Sequence, residues 1–325
     1  MHRCAGSVVA TPAHTKWGVH VEIIDPRFAP IADGSSALER LAGGAAWSEG
    51  PVWMREDGSV LWSDIPNNRM LRWHPQQGCT VWRQGVEFTN GHAREADGSL
   101  LHCSHGLRAI VRTRFGPGLM PLADEIVVSH LAERRLNSPN DIVVKSDGTM
   151  WFTDPPYGIV SDREGHRAEP ELVACYVFRF DPRNGELHAV SDWVEEPNGL
   201  AFSPDERVLY VSDTSAALRS DGSGHHHIVA FDVRDGCSLH APRVLAVIEP
   251  GLADGIRVDV NGFIYSSSAD SVQVYHPDGT RIGRIAVPEK VGNLVFGGPA
   301  GDELYICAST SLYRVRLATR GAVTG

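Results

Sequence analysis

Residues 197–213 read PNGLAFSPDERVLYVSD. One polar residue, Asn198, opens a short apolar run; a turn built from Ser, Pro, Asp and Glu ends it, and a second apolar run, VLYVSD, follows. The same order recurs at Glu49 (SEGPVWMREDG, then VLWSD), Asn90 (TNGHAREADG, then LLHCS) and Asn140 (PNDIVVKSDG, then TMWFTD). It returns at Asp254 (ADGIRVDVNG, then FIYSS) and Asn293 (GNLVFGGPAGDE, then ELYICAS). Recurrence of this kind identifies a repeat architecture. Each unit holds only short runs rich in Val, Leu, Tyr and Trp between Gly, Asp, Asn and Pro, the pattern of a small antiparallel sheet, and helical periodicity is nearly absent. A sheet of that size cannot bury both faces alone, whereas radial packing of several about an axis covers them. The expectation is an all-β chain folded as a six-bladed β-propeller.

Residues 1–36 match no repeat and read as an N-terminal extension; residues 37–320 read as a single propeller domain. A ring of blades has to be closed, and LERL at residues 38–41 reads as the outer strand of the last blade, with a short helix as the alternative. The composition, 42% hydrophobic and 22% charged over 325 residues, is that of a globular protein able to bury a sizeable core. A net charge of −10 without a basic run argues against a nucleic-acid partner. No stretch approaches the roughly 18 apolar residues of a membrane span, and the first residues lack an apolar leader core, so no membrane partner and a cytoplasmic location are expected. The six cysteines form no C-x-x-C pair; Cys103 and Cys307, inside apolar runs, read as buried thiols.

In a propeller blade the first strand lines the central channel and its hairpin returns the second strand to the starting end. The six openers therefore begin inner strands at one mouth and converge on the axis, and all six carry oxygen as Asn, Asp or Glu. Amide oxygens with two carboxylates suit a hard divalent cation: calcium takes six to eight oxygens, and softer metals favour Cys or His. A central-channel metal site holding one divalent cation is expected, Ca²⁺ first, with Zn²⁺, Mn²⁺ or Mg²⁺ as alternatives. The bland alternative is that Asn and Asp merely start strands after turns. The long insertions after Pro155 and Thr214 both follow second strands, so they rim the same mouth as a lid that sets specificity.

The segments SEGPVW, LNSPNDIVVKSDGTMWFTDPPYG, EPNGLAFSPDERVLYVSDT and ADGIRVDVNGFIY resemble those of the SMP-30/gluconolactonase/LRE family of six-bladed propellers, over roughly residues 38–318. The resemblance implies metal ligands at Glu49, Asn198 and Asp254, with Asn140 touching metal or substrate, positions the repeat singles out independently. It also implies that Asp254 is the acid/base residue, a role open to a carboxylate touching both cation and solvent; pure ligation is the alternative. An arginine that holds substrate oxygens in the family falls on Arg135, although its spacing departs from the tighter Arg-x-Asn of animal members.

Asn90, His92, His105 and Tyr157 complete the expected substrate contacts. His92 lies two residues after Asn90, hence on the same face of a strand, and His105 ends the second strand of the same blade. A pair of imidazoles there orients a substrate or shuttles a proton, or else is hydrogen-bonded structure. Asp154 and Asp213 read as partners that orient the ring amides, or as solvated loop residues. The run His225, His226, His227 reads as part of a Gly/Ser loop. The function expected is a metal-dependent hydrolase that opens a sugar lactone to its hydroxy acid, with a related ester or phosphotriester hydrolase, or a non-catalytic calcium-binding propeller, as the alternatives.

Overall fold

The computed structural model describes residues 16–19, 21–32, 37–219 and 221–322; residues 1–15, 20 and 33–36 of the expected extension, with Cys4, lie outside them. Each repeat folds into one antiparallel sheet whose strands pair in chain order. Ser48–Met54, Ser59–Asp64, Arg69–His74 and Gly78–Gln84 form the first blade, and Thr89–Arg94, Leu100–Ser104, Ala109–Gly116 and Met120–Val128 the second. Ile142–Val144, Met150–Asp154, Tyr176–Asp181 and Glu186–Ser191 make the third. The fourth is Pro197–Phe202, Val208–Asp213, His227–Arg234 and Ser238–Val247; the fifth is Ile256–Val258, Ile264–Ser267, Ser271–Tyr275 and Arg281–Ala286.

The sixth blade unites distant parts of the chain. Val291–Gly297, Glu303–Ala308 and Ser311–Arg316 supply three strands, and Ala37–Gly43 pairs with the last of these as the fourth. Innermost strands touch in sequence order, and the sixth touches the first, so the ring is closed. Two short strands lie further out: Val21–Ile23 on the fifth blade and Lys16–Val19 on the sixth.

Among the described residues the buried apolar side chains fall into six clusters, one between each pair of neighbouring blades. Trp62, Leu71, Tyr305 and Cys307, for example, fill the seam between the first and sixth. The packing explains why both faces of the middle strands are apolar, since each blade is covered on both sides by its neighbours. It also leaves the channel to be lined by whatever the inner strands present. No helix of the described residues is long and apolar enough to cross a membrane.

Candidate functional site

The openers are held by a device that repeats around the ring. Pairing between first and second strands shifts register between Glu49 and Val52, Thr89 and His92, Pro197 and Leu200, and Val291 and Asn293. Such an irregularity breaks strict alternation and re-aims a side chain. Glycine follows several openers because the neighbouring backbone presses against it: a Cβ on Gly50, at φ +50, would lie 2.0 Å from the Asn90 carbonyl oxygen. One on Gly199 would lie 2.3 Å from that of Asp254, to which the Gly199 N–H donates at 3.1 Å.

Second-strand hydroxyls fix the same carbonyls from the preceding blade. Ser63 donates to Asn90 O at 2.8 Å, Thr153 to Asn198 O at 2.5 Å and Ser212 to Asp254 O at 2.7 Å. The Asp254 N–H in turn donates to Ser267 Oγ at 2.7 Å. The aspartates that end second strands accept from the N–H three residues before the opener: Asp64 from Ala46 at 2.8 Å, Asp154 from Asn137 at 2.8 Å and Asp213 from Glu195 at 3.1 Å. Asp154 and Asp213 thus act on the backbone that delivers Asn140 and Asn198, not on the amides themselves.

Glu49, Asn90, Asn140, Asn198 and Asp254 come together on the wall of one cavity of about 470 Å³ at this mouth. Glu49 is 3% exposed; its Oε2 accepts from Gly50 N–H at 2.9 Å, and its Oε1 has no partner. Burial, with the Asp254 charge next, pushes the Glu49 carboxyl well above the usual range, and burial raises that of Asp254. Carboxylates facing one cavity disfavour each other's ionisation, which a bound cation would reverse.

His105 belongs to the same wall. Its Nδ1 lies 2.9 Å from the Glu164 carbonyl oxygen, which can only accept, so Nδ1 carries the proton and Nε2 accepts from Asn90 Nδ2 at 3.4 Å. That fixes the Asn90 amide and leaves its buried Oδ1 unpartnered. Burial lowers the His105 pKa to about 4, so the ring is neutral near pH 7. Tyr157 joins the two insertions: its hydroxyl donates to Thr214 O at 3.1 Å and lies 2.5 Å from Thr214 Oγ1, which also accepts from Asn198 Nδ2 at 3.2 Å. Val160, Ser161 and Glu164 from the first insertion and Ala217 and Leu218 from the second complete the rim.

Two expected substrate contacts lie elsewhere. The register shift before His92 carries its ring past the openers: Nδ1 sits 2.5 Å from Gly50 O, the ring packs edge-on against His102, and it lines a cavity at the other end of the channel. Arg135 sits on a two-residue hairpin strand, Arg134–Arg135, where its guanidinium donates to Leu107 O at 2.9 Å, outside the funnel. Sequence reasoning did not find Trp47, Thr214 or Lys290, all on the funnel wall, with Lys290 Nζ 5.2 Å from the Trp47 ring centre. Their signal is position: Trp47 and Lys290 lie two and three residues before openers, and Thr214 follows a second strand.

Among the described residues no three His, Cys, Asp or Glu side chains cluster as a metal centre. A cation in the funnel would therefore have two carboxylates, Glu49 and Asp254, and otherwise amide oxygens. The buried Oε1 of Glu49, which has no partner, fits that demand, since such atoms are rarely left unsatisfied.

Fold and funnel define a six-bladed propeller with an axial, oxygen-lined pocket for a small polar ligand. The sequence pattern of the SMP-30/Gluconolactonase/LRE-like region matches residues 47–310, and the chain belongs to that family. It is 32% identical to the gluconolactonase of Zymomonas mobilis over 91% of this chain and 85% of that one. It is 31% identical to pentonolactonase XacC of Haloferax volcanii, over 79% of this chain and 80% of that one. The solved gluconolactonase XC5397 of Xanthomonas campestris superposes with a TM-score of 0.84 at 37% identity, over 95% of this chain and 99% of that one.

Proposed function

We infer that this chain is a lactone hydrolase that opens a sugar lactone to the hydroxy acid, using one divalent cation held by Glu49, Asn198 and Asp254 with Asn140 beside them. The observation that carries the reading is the convergence of five repeat-equivalent oxygen side chains on one cavity, two of them with buried oxygens lacking any partner, in a chain related to lactonases. Hard oxygen ligands favour calcium over softer metals. When bound, the cation supplies Lewis acidity, polarising a carbonyl oxygen and acidifying water.

The residues of the chain do the rest. Asp254, half-buried and anchored through its backbone on both sides, takes a proton from the water that attacks the lactone carbonyl and returns it to the ring oxygen as the acyl carbon–oxygen bond breaks. Asn90 Oδ1 accepts from a sugar hydroxyl, and His105, neutral and fixed in one tautomer, holds that amide in place. Lys290 stands on the same wall, where its ammonium favours the ionised form of Asp254 and attracts the carboxylate product. The two insertions cover the sugar, tied together through Tyr157 and Thr214.

The direct test is acid release from D-glucono-1,5-lactone, corrected for spontaneous opening, with and without a chelator. Turnover that the chelator removes and calcium restores is the expected result; no acceleration over the spontaneous reaction on any aldonolactone would overturn the reading.

A further inference from the structure

The channel has a second mouth. At the carboxyl ends of the inner strands, away from the openers, lies a cavity of about 440 Å³ whose wall includes Trp53, Phe202 and Phe296. That volume is within the range, roughly 300–1,000 Å³, of pockets for small organic molecules. Three arginines, Arg55, Arg257 and Arg320, reach it. Among the described residues the side chains of Arg55 and Arg320 make no ion pair or hydrogen bond. Arg257 is ion-paired through one nitrogen, Nη1, with Asp141 Oδ2 at 3.3 Å, and the same nitrogen donates to Ile256 O at 2.7 Å, which fixes its guanidinium at the channel wall and leaves the uncompensated charge to Arg55 and Arg320. A fourth arginine on the wall, Arg94, is already neutralised by Glu56.

His92 supplies the second observation. It is 3% exposed, lies on this wall, and its Nε2 has no partner. Its Nδ1 faces the Gly50 carbonyl oxygen and so carries the proton, which makes Nε2 of the neutral ring an acceptor. The cavity thus offers a surplus of positive charge, a buried acceptor without a donor, and aromatic walls. An inorganic anion would satisfy only the first, and an aliphatic acid only the first and third.

We propose that this second mouth is a separate small-molecule site that binds a hydroxylated organic anion, its carboxylate on Arg55, Arg257 and Arg320 and a hydroxyl donating to His92 Nε2. The site faces away from the cation-binding funnel, and the proposal does not rest on the lactonase reading.

The probe is D-gluconate, compared with hexanoate, which has a carboxylate and six carbons but no hydroxyl. Both are titrated calorimetrically into the full chain in excess EDTA, so that no cation-dependent binding in the funnel contributes. The expected result is one gluconate per chain, bound about tenfold more tightly than hexanoate, with Arg55→Ala/Arg320→Ala weakening gluconate by about tenfold or more. Both arginines are exposed, so this variant should fold. His92→Phe should erase the preference for gluconate, and Tyr157→Phe, on the opposite funnel, should leave the affinity unchanged. No gluconate binding in EDTA, an affinity indifferent to the arginine pair, or an equal loss in Tyr157→Phe would each overturn the proposal.

Discussion

Asp254 sits where three demands meet: its carboxyl shares a cavity with Glu49, its N–H and C=O are both bound by serine hydroxyls, and Gly199 packs against its backbone. Asp254→Asn keeps an oxygen but loses the base and one charge. At saturating calcium its lactone hydrolysis should fall by roughly 10²- to 10⁴-fold, as for other lost general bases, while part of the cation affinity survives; Asp254→Ala should lose both. Near-normal turnover in the saturated Asn variant would make Asp254 a ligand only and turn attention to His105. A second buried aspartate contributes to the pH response of stability. Burial raises Asp154 from 3.8 to about 7 although Asn137 N–H binds it. The native state therefore holds a proton that the unfolded chain releases above about pH 4, so this contribution to stability is complete below that pH and is lost as pH rises to about 7. Asp154→Asn, which cannot ionise, should lose less stability than the native protein between pH 4.5 and 7.5, by on the order of a few kcal/mol, as read from urea midpoints. Parallel pH profiles would refute the assignment. At this scale the repeat located five of its six openers, Glu49, Asn90, Asn140, Asn198 and Asp254, on one cavity wall; the sixth, Asn293, is off that wall, its amide donating to Asp141 Oδ2 at 3.3 Å and accepting from Leu294 N–H at 2.8 Å. The sequence misled at His92, because strict alternation was assumed across a register shift that carries the ring toward the other mouth.

Strand starts, not whole strands, shape the funnel. The opener–glycine pair lets one blade's backbone lie against the next, and the terminal aspartate of the second strand clamps the approach to the opener. Gly199→Ala should therefore displace Asp254: a loss of roughly 1–3 kcal/mol, typical of overpacking, together with weakened cation binding, both measurable by thermal melts with and without calcium. If the variant binds calcium as the native chain does, the glycine is not positioning the ring. The two insertions make a contrasting case. Because both rim the funnel and meet at Tyr157 and Thr214, shortening residues 160–170 should change the ranking of lactones by kcat/KM more than it changes calcium affinity. Lost metal with an unchanged substrate ranking would contradict that. The insertions' place at the mouth was legible from hairpin geometry, but their contacts were not, since irregular chain carries no period. The histidine run read as loop instead feeds a strand: His227 opens His227–Arg234, and His226 Nδ1 binds Ile248 O at 2.8 Å. Its β-branched continuation, IVAFDV, was the overlooked signal.

Closing the ring joins Ala37–Gly43 to Ser311–Arg316, and the funnel wall draws its side chains from around that ring, so no single blade makes the cavity. That closure was legible because six units demand it, and LERL was the segment left over before the first opener. The ends of the channel differ in charge: carboxylates and amides converge at one mouth and arginines at the other, a polarity visible only once the strands are placed. In the proposed reaction a single cation, held by Glu49, Asn140, Asn198 and Asp254 from four blades, is what makes the chain a lactonase. Chelator-treated protein should be titrated with calcium while acid release from D-glucono-1,5-lactone is followed at constant pH. The rate should rise in proportion to occupancy and level off at one calcium per chain. Full activity before any metal is added, or a stoichiometric calcium site whose filling leaves the rate at its spontaneous value, would contradict the claim.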